Sequence, residues 1–321
     1  MEYLLLIIGF IVLIKWADLV VLSASSIAKI LWVSSLMIGL TVVAFWTSAP
    51  EFFVNIIWVA RGQTDLALWN ILGSIIMNTL LVLWIAALIN PLRAKSSTVY
   101  KEVPFLLLWA FALIVASSDI FLSWQSENII TRNEWILFLL FFIIFIAYTF
   151  SLLKSNEGKD EEEEIKTIPF HTSILYLIGW IVWLVLWGNL LVNSAGEIAR
   201  GWGVSESIIG LTIVAFGTSL PELATSAIAA YKKNSDIAIG NVVGSNIYGI
   251  FLILGSSATT RNLVVGTSTF YDIIIAFAVT LLLSLFLFFG GWKAKLTKIE
   301  WFILIFLYFI YIGYLFYTQI L

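Results

Sequence analysis

Two glutamates fall where a charged side chain is expensive. Glu51 closes the run Thr47-Ser48-Ala49-Pro50-Glu51, and Glu222 closes Thr218-Ser219-Leu220-Pro221-Glu222, each inside a long apolar stretch. A charge at the centre of a membrane-spanning helix costs roughly 2.5–3.5 kcal/mol on insertion scales, so such a carboxylate needs a partner. Thr47 and Ser48 lie four and three residues before Glu51, so their hydroxyls share its helix face. Proline has no N–H, which deprives the carbonyl four residues earlier, at Trp46 or Gly217, of its helical partner. Neighbouring carbonyls are then able to tilt inward. A second motif adds Ser74 with Asn78 one turn later, and Ser245.

Together these groups form an all-oxygen ligand set: two carboxylates, several hydroxyls, one side-chain amide and loosened carbonyls. Hard cations select such sets, and Ca²⁺ takes about six to eight oxygens at ~2.3–2.6 Å. One Ca²⁺ would neutralise both glutamates. Na⁺ accepts similar oxygen geometry with one charge per ion, so competition between the two ions for Glu51 and Glu222 offers a route to exchange. Resident cofactors are not expected; the ions would be cargo.

Both motifs occur twice at one offset. Residues 39–51 match 210–222, and Asp65–Ser74 match Asp236–Ser245, each pair 171 residues apart without a gap. The chain is therefore read as a duplication: a first five-helix unit over 1–153 with its motif at 39–78, a linker over 154–171, and a second unit over 172–321 with its motif at 210–249. A unit with an odd number of spans re-enters the membrane from the opposite side, which makes the repeats inverted. Transporters built this way commonly hold substrate near the midplane, where the halves meet.

The elements that must position these residues are apolar helices. Of 321 residues, 61% are hydrophobic and 12% charged, against about a quarter charged in ordinary soluble domains. Ten spans are drawn at about 3–25, 35–60, 66–90, 103–118, 135–153, 172–194, 206–231, 237–260, 270–290 and 300–318, each near the length that crosses a bilayer. The fold class is thus an all-α integral membrane protein of ten transmembrane helices in two inverted five-helix repeats, with the lipid bilayer as its surroundings. The first run is too long and lacks the cationic start of a cleavable signal peptide. With the N-terminus outside, twelve Lys and Arg fall in inside loops and four in outside loops, which places both termini outside a cell or inner membrane. Asp160 and the run Glu161–Glu164 read as a solvated linker. Asp65 and Asp236 read as helix N-terminal caps, with ion access second; Lys15 and Asp18 are candidates to pair with each other. Without cysteine there is neither disulfide nor thiolate site, and without a basic stripe there is no nucleic-acid surface. No nucleophile–base pair supports an enzyme.

Gly210-Leu-Thr-Ile-Val-Ala-Phe-Gly-Thr-Ser-Leu-Pro-Glu222, followed by Gly240-Asn-Val-Val-Gly-Ser-Asn-Ile247, resembles the alpha repeats of the sodium/calcium exchanger family, within the cation/calcium antiporters. The resemblance implies alternating access, with Ca²⁺ and Na⁺ held between the second, third, seventh and eighth helices. Carried over by position, the metal ligands are the carbonyls of Ala44 and Ala215 and the side chains of Thr47, Ser48, Glu51, Ser74, Asn78, Thr218, Ser219, Glu222 and Ser245. The central loop leaves no room for a large cytosolic regulatory domain.

Two departures stand out against that family. Gly249 occupies the place equivalent to Asn78, where an amide or carboxylate is usual. Tryptophan stands where glycine is expected at Trp16, Trp32, Trp46, Trp69, Trp84 and Trp187, which should overpack tight helix contacts by several kcal/mol in total. Trp46, beside Thr47, is expected to crowd the site. A gene that reads UGA as glycine, here translated as tryptophan, covers all six; UGG codons would exclude it. The competing functions are a proton/calcium or potassium-dependent exchanger, a passive cation channel, and a transport-dead membrane protein.

Overall fold

The computed structural model describes residues 2–31, 33–94, 98–122, 124–152, 167–180, 182–183, 201, 215–258, 262–289 and 298–320. In chain order these form α1 (Glu2–Leu31), α2 (Ser35–Thr47), α3 (Ala49–Ala60), α4 (Thr64–Ile89), α5 (Val103–Ala116), β1 (Asn128–Ile130), α6 (Arg132–Leu152), α7 (Ala215–Tyr231), α8 (Ser235–Ser257), β2 (Leu263–Val265), α9 (Thr267–Phe289) and α10 (Lys298–Ile320). Residues 170–180 are also helical. β1 and β2 form a two-stranded antiparallel ribbon pairing Ile129 with Val264, which ties together the loops that precede α6 and α9.

Each of the ten apolar runs carries helix in whole or in part. Among the described residues, five helices are long and apolar enough to cross a membrane: α4, α6, α8, α9 and α10. The pair α2 and α3 qualifies together, bent by 45° at Ser48. Burial sorts these helices into an inner and an outer set. The apolar windows of α4 and α8 are 78% and 94% buried, whereas those of α6 and α10 are 22% and 28% buried. Outward faces carry Phe141, Ile143, Phe302, Phe306 and Phe309. An apolar exterior around a polar-lined centre is the reverse of a water-soluble domain and suits lipid.

Close approach of α2 to α8 sets the centre. A Cβ at Gly240 would lie 2.8 Å from the Leu36 carbonyl oxygen, and one at Gly244 would lie 2.7 Å from the Leu40 oxygen. These two glycines, four apart, let the helix backbones touch, as small-residue pairs do in membranes. The crossing puts Thr47 directly against Asn241 and Ser245.

The α3–α4 and α7–α8 turns are built alike. Gln63 N–H donates to the Trp58 carbonyl at 2.8 Å, and Asn234 N–H donates to the Ala229 carbonyl at 2.8 Å, the same bond 171 residues on. Gly62 (φ 81°) and Lys233 (φ 59°) occupy the same left-handed position. Glycine adopts it freely, whereas lysine does so at some cost.

Two sequence readings change here. Asp65 and Asp236 are not caps: the caps are Gln63 and Asn234, and Asn234 accepts from Ile237 N–H at 3.0 Å. Both aspartates lie in the first helical turn, where negative charge still meets the helix dipole favourably. Asp18 pairs with Lys232 at 2.6 Å, because α1 packs against α7 and brings the α7–α8 turn within reach. Proline breaks the first copy only: α2 ends at Ser48, whereas α7 runs unbroken through Pro221.

Trp16, Trp46, Trp69 and Trp84 are each partly buried and packed against the core. Trp16 fills the notch at Gly179, where an added Cβ would meet it at 2.6 Å, and Trp69 Nε1–H donates to Thr269 at 3.1 Å. Trp32 and Trp187 lie outside the described residues, as does the acidic run 160–164.

Candidate functional site

Glu51 and Glu222 are 3% and 0% exposed, one from each motif, and each is approached by hydroxyls of the other half. Pro50 sits in the first turn of α3, where proline is tolerated, just after the chain break at Ser48 (ψ 2°), and the Ser48 hydroxyl turns towards Glu222. Ser48 Oγ donates to Glu222 Oε1 at 2.9 Å, and Ser245 Oγ donates to the same oxygen at 3.1 Å. On the other side Ser219 Oγ lies 3.5 Å from Glu51 Oε1 and 2.9 Å from Ser74 Oγ. A serine has one hydroxyl hydrogen. The shorter contact to Ser74 takes it, so Glu51 is the less satisfied carboxylate.

Three acceptors at this centre are buried without a donor among the described residues: Glu51 Oε2, Glu222 Oε2 and Asn78 Oδ1. The Asn78 amide donates instead to Asn246 Oδ1 at 3.2 Å, and Asn246 in turn donates to Thr79 Oγ1 at 3.0 Å. Unsatisfied carboxylate oxygens in a dry interior carry a penalty that only a proton or a cation removes. The cavity beside them is lined by Ser48, Glu51, Ser74, Asn78, Ser245 and Gly249. Trp46 is not among its walls; its indole turns to Phe45, with ring centroids 5.3 Å apart.

Thr47 and Thr218 stand one layer out. Thr47 Oγ1 lies 3.0 Å from Asn241 Oδ1, and Thr218 Oγ1 lies 3.1 Å from Asn70 Oδ1. The Ala44 and Ala215 carbonyls each meet the threonine three residues later at 3.3 Å, and Ala44 also accepts Ser48 N–H at 3.0 Å. Of the eleven positions named from sequence, Ser48, Glu51, Ser74, Asn78 and Ser245 line the cavity, Glu222 and Ser219 are hydrogen-bonded to that set, and the threonines and alanine carbonyls stand beside it.

Sequence reasoning missed the asparagines that hold the halves together. Asn70 donates to Asn55 Oδ1 at 2.9 Å, and its counterpart Asn241 donates to Ser226 at 3.0 Å. Asn55 donates to the Ala67 carbonyl, and Ser226, at the equivalent place, to the Ala238 carbonyl. Asn70 and Asn241 were visible as identical residues within the repeated motif. Asn55 and Ser226 differ in type and left no such signal. Of the other acids near spans, Asp272 is buried and meets Tyr311 OH at 3.5 Å, away from the cavity.

Comparison with known proteins agrees with this geometry. The family described as sodium/calcium exchanger protein matches residues 1–151 and 172–318. The sodium/calcium exchanger MaX1 of Methanosarcina acetivorans is 30% identical, covering 92% of this chain and 93% of its own. The inner membrane protein YrbG of Escherichia coli is 32% identical, covering 79% and 78%. Among solved structures, the sodium-calcium exchanger NCX_Mj soaked with 10 mM Na⁺ and 10 mM Sr²⁺ superposes with a TM-score of 0.80 at 29% identity, covering 97% of each chain.

Proposed function

This chain belongs to the sodium/calcium exchanger family, and from that premise we propose that it moves Ca²⁺ against Na⁺ by alternating access at the Glu51–Glu222 pocket. The observation that carries the proposal is the pair of buried carboxylates, each with one oxygen lacking a donor among the described residues. Ca²⁺ is the ligand that removes this penalty in one step, bound by Glu51, Glu222, Ser48, Ser74, Asn78 and Ser245, with Ser219 alongside. Thr47 and Thr218 orient this set, and the Ala44 and Ala215 carbonyls complete it when the helix ends shift. Sodium ions occupy the same oxygens in the return step.

Ten spans in two inverted halves, 1–153 and 172–321 joined by the 154–171 linker, suit this mechanism. Rocking one half against the other opens the shared pocket to alternate sides. The identical α3–α4 and α7–α8 turns and the mirrored Asn70 and Asn241 bonds support the duplication. The excess of Lys and Arg in the loops on one side supports a cell or inner membrane with both termini outside. Deep burial of both glutamates suits occlusion and opposes an open pore. As a transporter the protein performs no covalent chemistry.

Reconstituted vesicles test the proposal. A sodium gradient at fixed pH is expected to drive Ca²⁺ uptake that saturates, and Glu51→Gln or Glu222→Gln should abolish it. Uptake driven only by a pH gradient would move the protein to proton coupling. Flux that needs no counter-ion would make it a channel.

A further inference from the structure

Resting on the exchange reading above, we infer that Asn55, Asn70, Ser226 and Asn241 are positioning residues that fix the direction of the threonine hydroxyls beside the pocket. Through them Thr47, Thr218 and the Ala44 and Ala215 carbonyls meet a cation as acceptors only. All four side chains are fully buried, and none belongs to the ligand set named from sequence.

The first relay is anchored on a backbone carbonyl, which can only accept. Asn55 Nδ2 lies 3.2 Å from the Ala67 carbonyl oxygen, so the Asn55 amide gives its N–H there and keeps its Oδ1 for another donor. Asn70 supplies that donor at 2.9 Å, which leaves Asn70 Oδ1 to accept the Thr218 hydroxyl at 3.1 Å. Thr218 has one hydroxyl hydrogen, and this bond commits it; only lone pairs remain for anything else. Its other acceptor is the Ala215 carbonyl at 3.3 Å. The relay therefore keeps the proton off that carbonyl as well.

The second half repeats the direction with a different residue. Asn241 donates to Ser226 Oγ at 3.0 Å and to the Glu222 carbonyl at 3.3 Å, and its Oδ1 accepts the Thr47 hydroxyl at 3.0 Å. Ser226 passes its own proton towards the Ala238 carbonyl at 3.5 Å. Thr47 also meets the Ala44 carbonyl at 3.3 Å and Ser245 Oγ at 3.4 Å, and Ser245 itself donates to Glu222 Oε1 at 3.1 Å. Asn55 and Ser226 stand 171 residues apart at the same place. What they share is the capacity to accept on one side and donate on the other, so direction is kept where residue type is not. Each relay starts on a threonine of one half and ends in the other half. In a buried chain of this kind each bond polarises the next, which holds the direction firmly.

The test breaks the relay without touching the pocket. Asn55→Leu keeps bulk and removes the acceptor, so Asn70 is released to turn its N–H to Thr218, whose hydrogen then falls to the Ala215 carbonyl. Half-saturating Ca²⁺, read from thermal stabilisation in detergent, is expected to rise about tenfold. Asn55→Ser installs the residue found at this place in the second half and should stay within about twofold of the parent. In a Thr218→Val background Asn55→Leu should have no further effect, because the hydroxyl it acts through is gone. Equal losses in both backgrounds would mean packing alone and overturn the relay. So would Asn55→Leu binding as tightly as the parent, or Asn55→Ser binding as weakly as Asn55→Leu. Should Asn55→Leu not fold, Asn55→Val, smaller and equally apolar, takes the same comparisons. A parent that Ca²⁺ does not stabilise overturns the relay together with the pocket. A parent that binds Ca²⁺ and shows no sodium-driven uptake overturns exchange alone.

Discussion

Replacing Glu51 by glutamine keeps the size of the side chain and removes one of the two charges in the pocket. In the parent, Ca²⁺ brings that pocket to neutrality; in Glu51→Gln it would leave one positive charge buried at a site 3% exposed. Breaking a buried, compensated charge pair costs about 3–5 kcal/mol, which corresponds to roughly two to four powers of ten in Ca²⁺ affinity. The ion-free state moves the other way. Glu51 Oε2 has no donor among the described residues and the Ser219 contact to Oε1 is a long 3.5 Å, so the neutral amide relieves a poorly satisfied carboxylate. Thermal unfolding in detergent, titrated with Ca²⁺, reads both effects. The parent should gain stability as Ca²⁺ rises, since a ligand that binds only the folded state stabilises it. Glu51→Gln should start higher without Ca²⁺ and gain nothing up to millimolar concentrations. Ser48→Ala, which removes one hydrogen bond to Glu222, should lose only about 1.5–3 kcal/mol of affinity and keep a right-shifted response. A Glu51→Gln protein whose Ca²⁺ response matches the parent would refute the shared-charge reasoning.

Other predictions follow from packing and backbone. Gly244→Ala places a Cβ 2.7 Å from the Leu40 carbonyl, so α8 must back away from α2, and we expect a loss of about 1–3 kcal/mol and a broadened size-exclusion profile. Lys233→Gly relieves a left-handed lysine at φ 59° and should raise the unfolding temperature, by up to about 1–2 kcal/mol of stability, without altering transport. Trp69→Phe removes the indole hydrogen bond to Thr269 and should cost about 1 kcal/mol with Ca²⁺ affinity unchanged. Asp18→Asn should cost no more than ~1 kcal/mol, because its partner Lys232 and Asp18 itself are both partly exposed.

Much of the candidate site was legible because duplication wrote it twice. The Thr-Ser-x-Pro-Glu pair and the Ser74 and Ser245 positions share one offset, and their chemistry is carried by residue type alone. The helices were legible as apolar runs, since a membrane leaves the backbone little choice. What escaped depends on how the halves differ. The same proline breaks the chain at Ser48 yet lies within an unbroken α7, a distinction set by packing around each copy rather than by the motif. The Asp18 partner belongs to a turn more than two hundred residues away, which local spacing cannot reveal. Capping by Asn234 was hidden because Asp236 looked the better cap, and only backbone geometry ranks the two. Tryptophans at glycine-equivalent places suggested overpacking, but Trp69 points to Thr269 whereas Gly240 lies in the tight crossing with α2.

Anomalous diffraction from crystals soaked in Sr²⁺ tests most directly whether Glu51 and Glu222 hold a single cation between them. One peak within about 2.6 Å of an oxygen from each carboxylate, weakened as Na⁺ is raised, is the predicted result. Strong anomalous density elsewhere, with both glutamates lacking any bound ion, would contradict it.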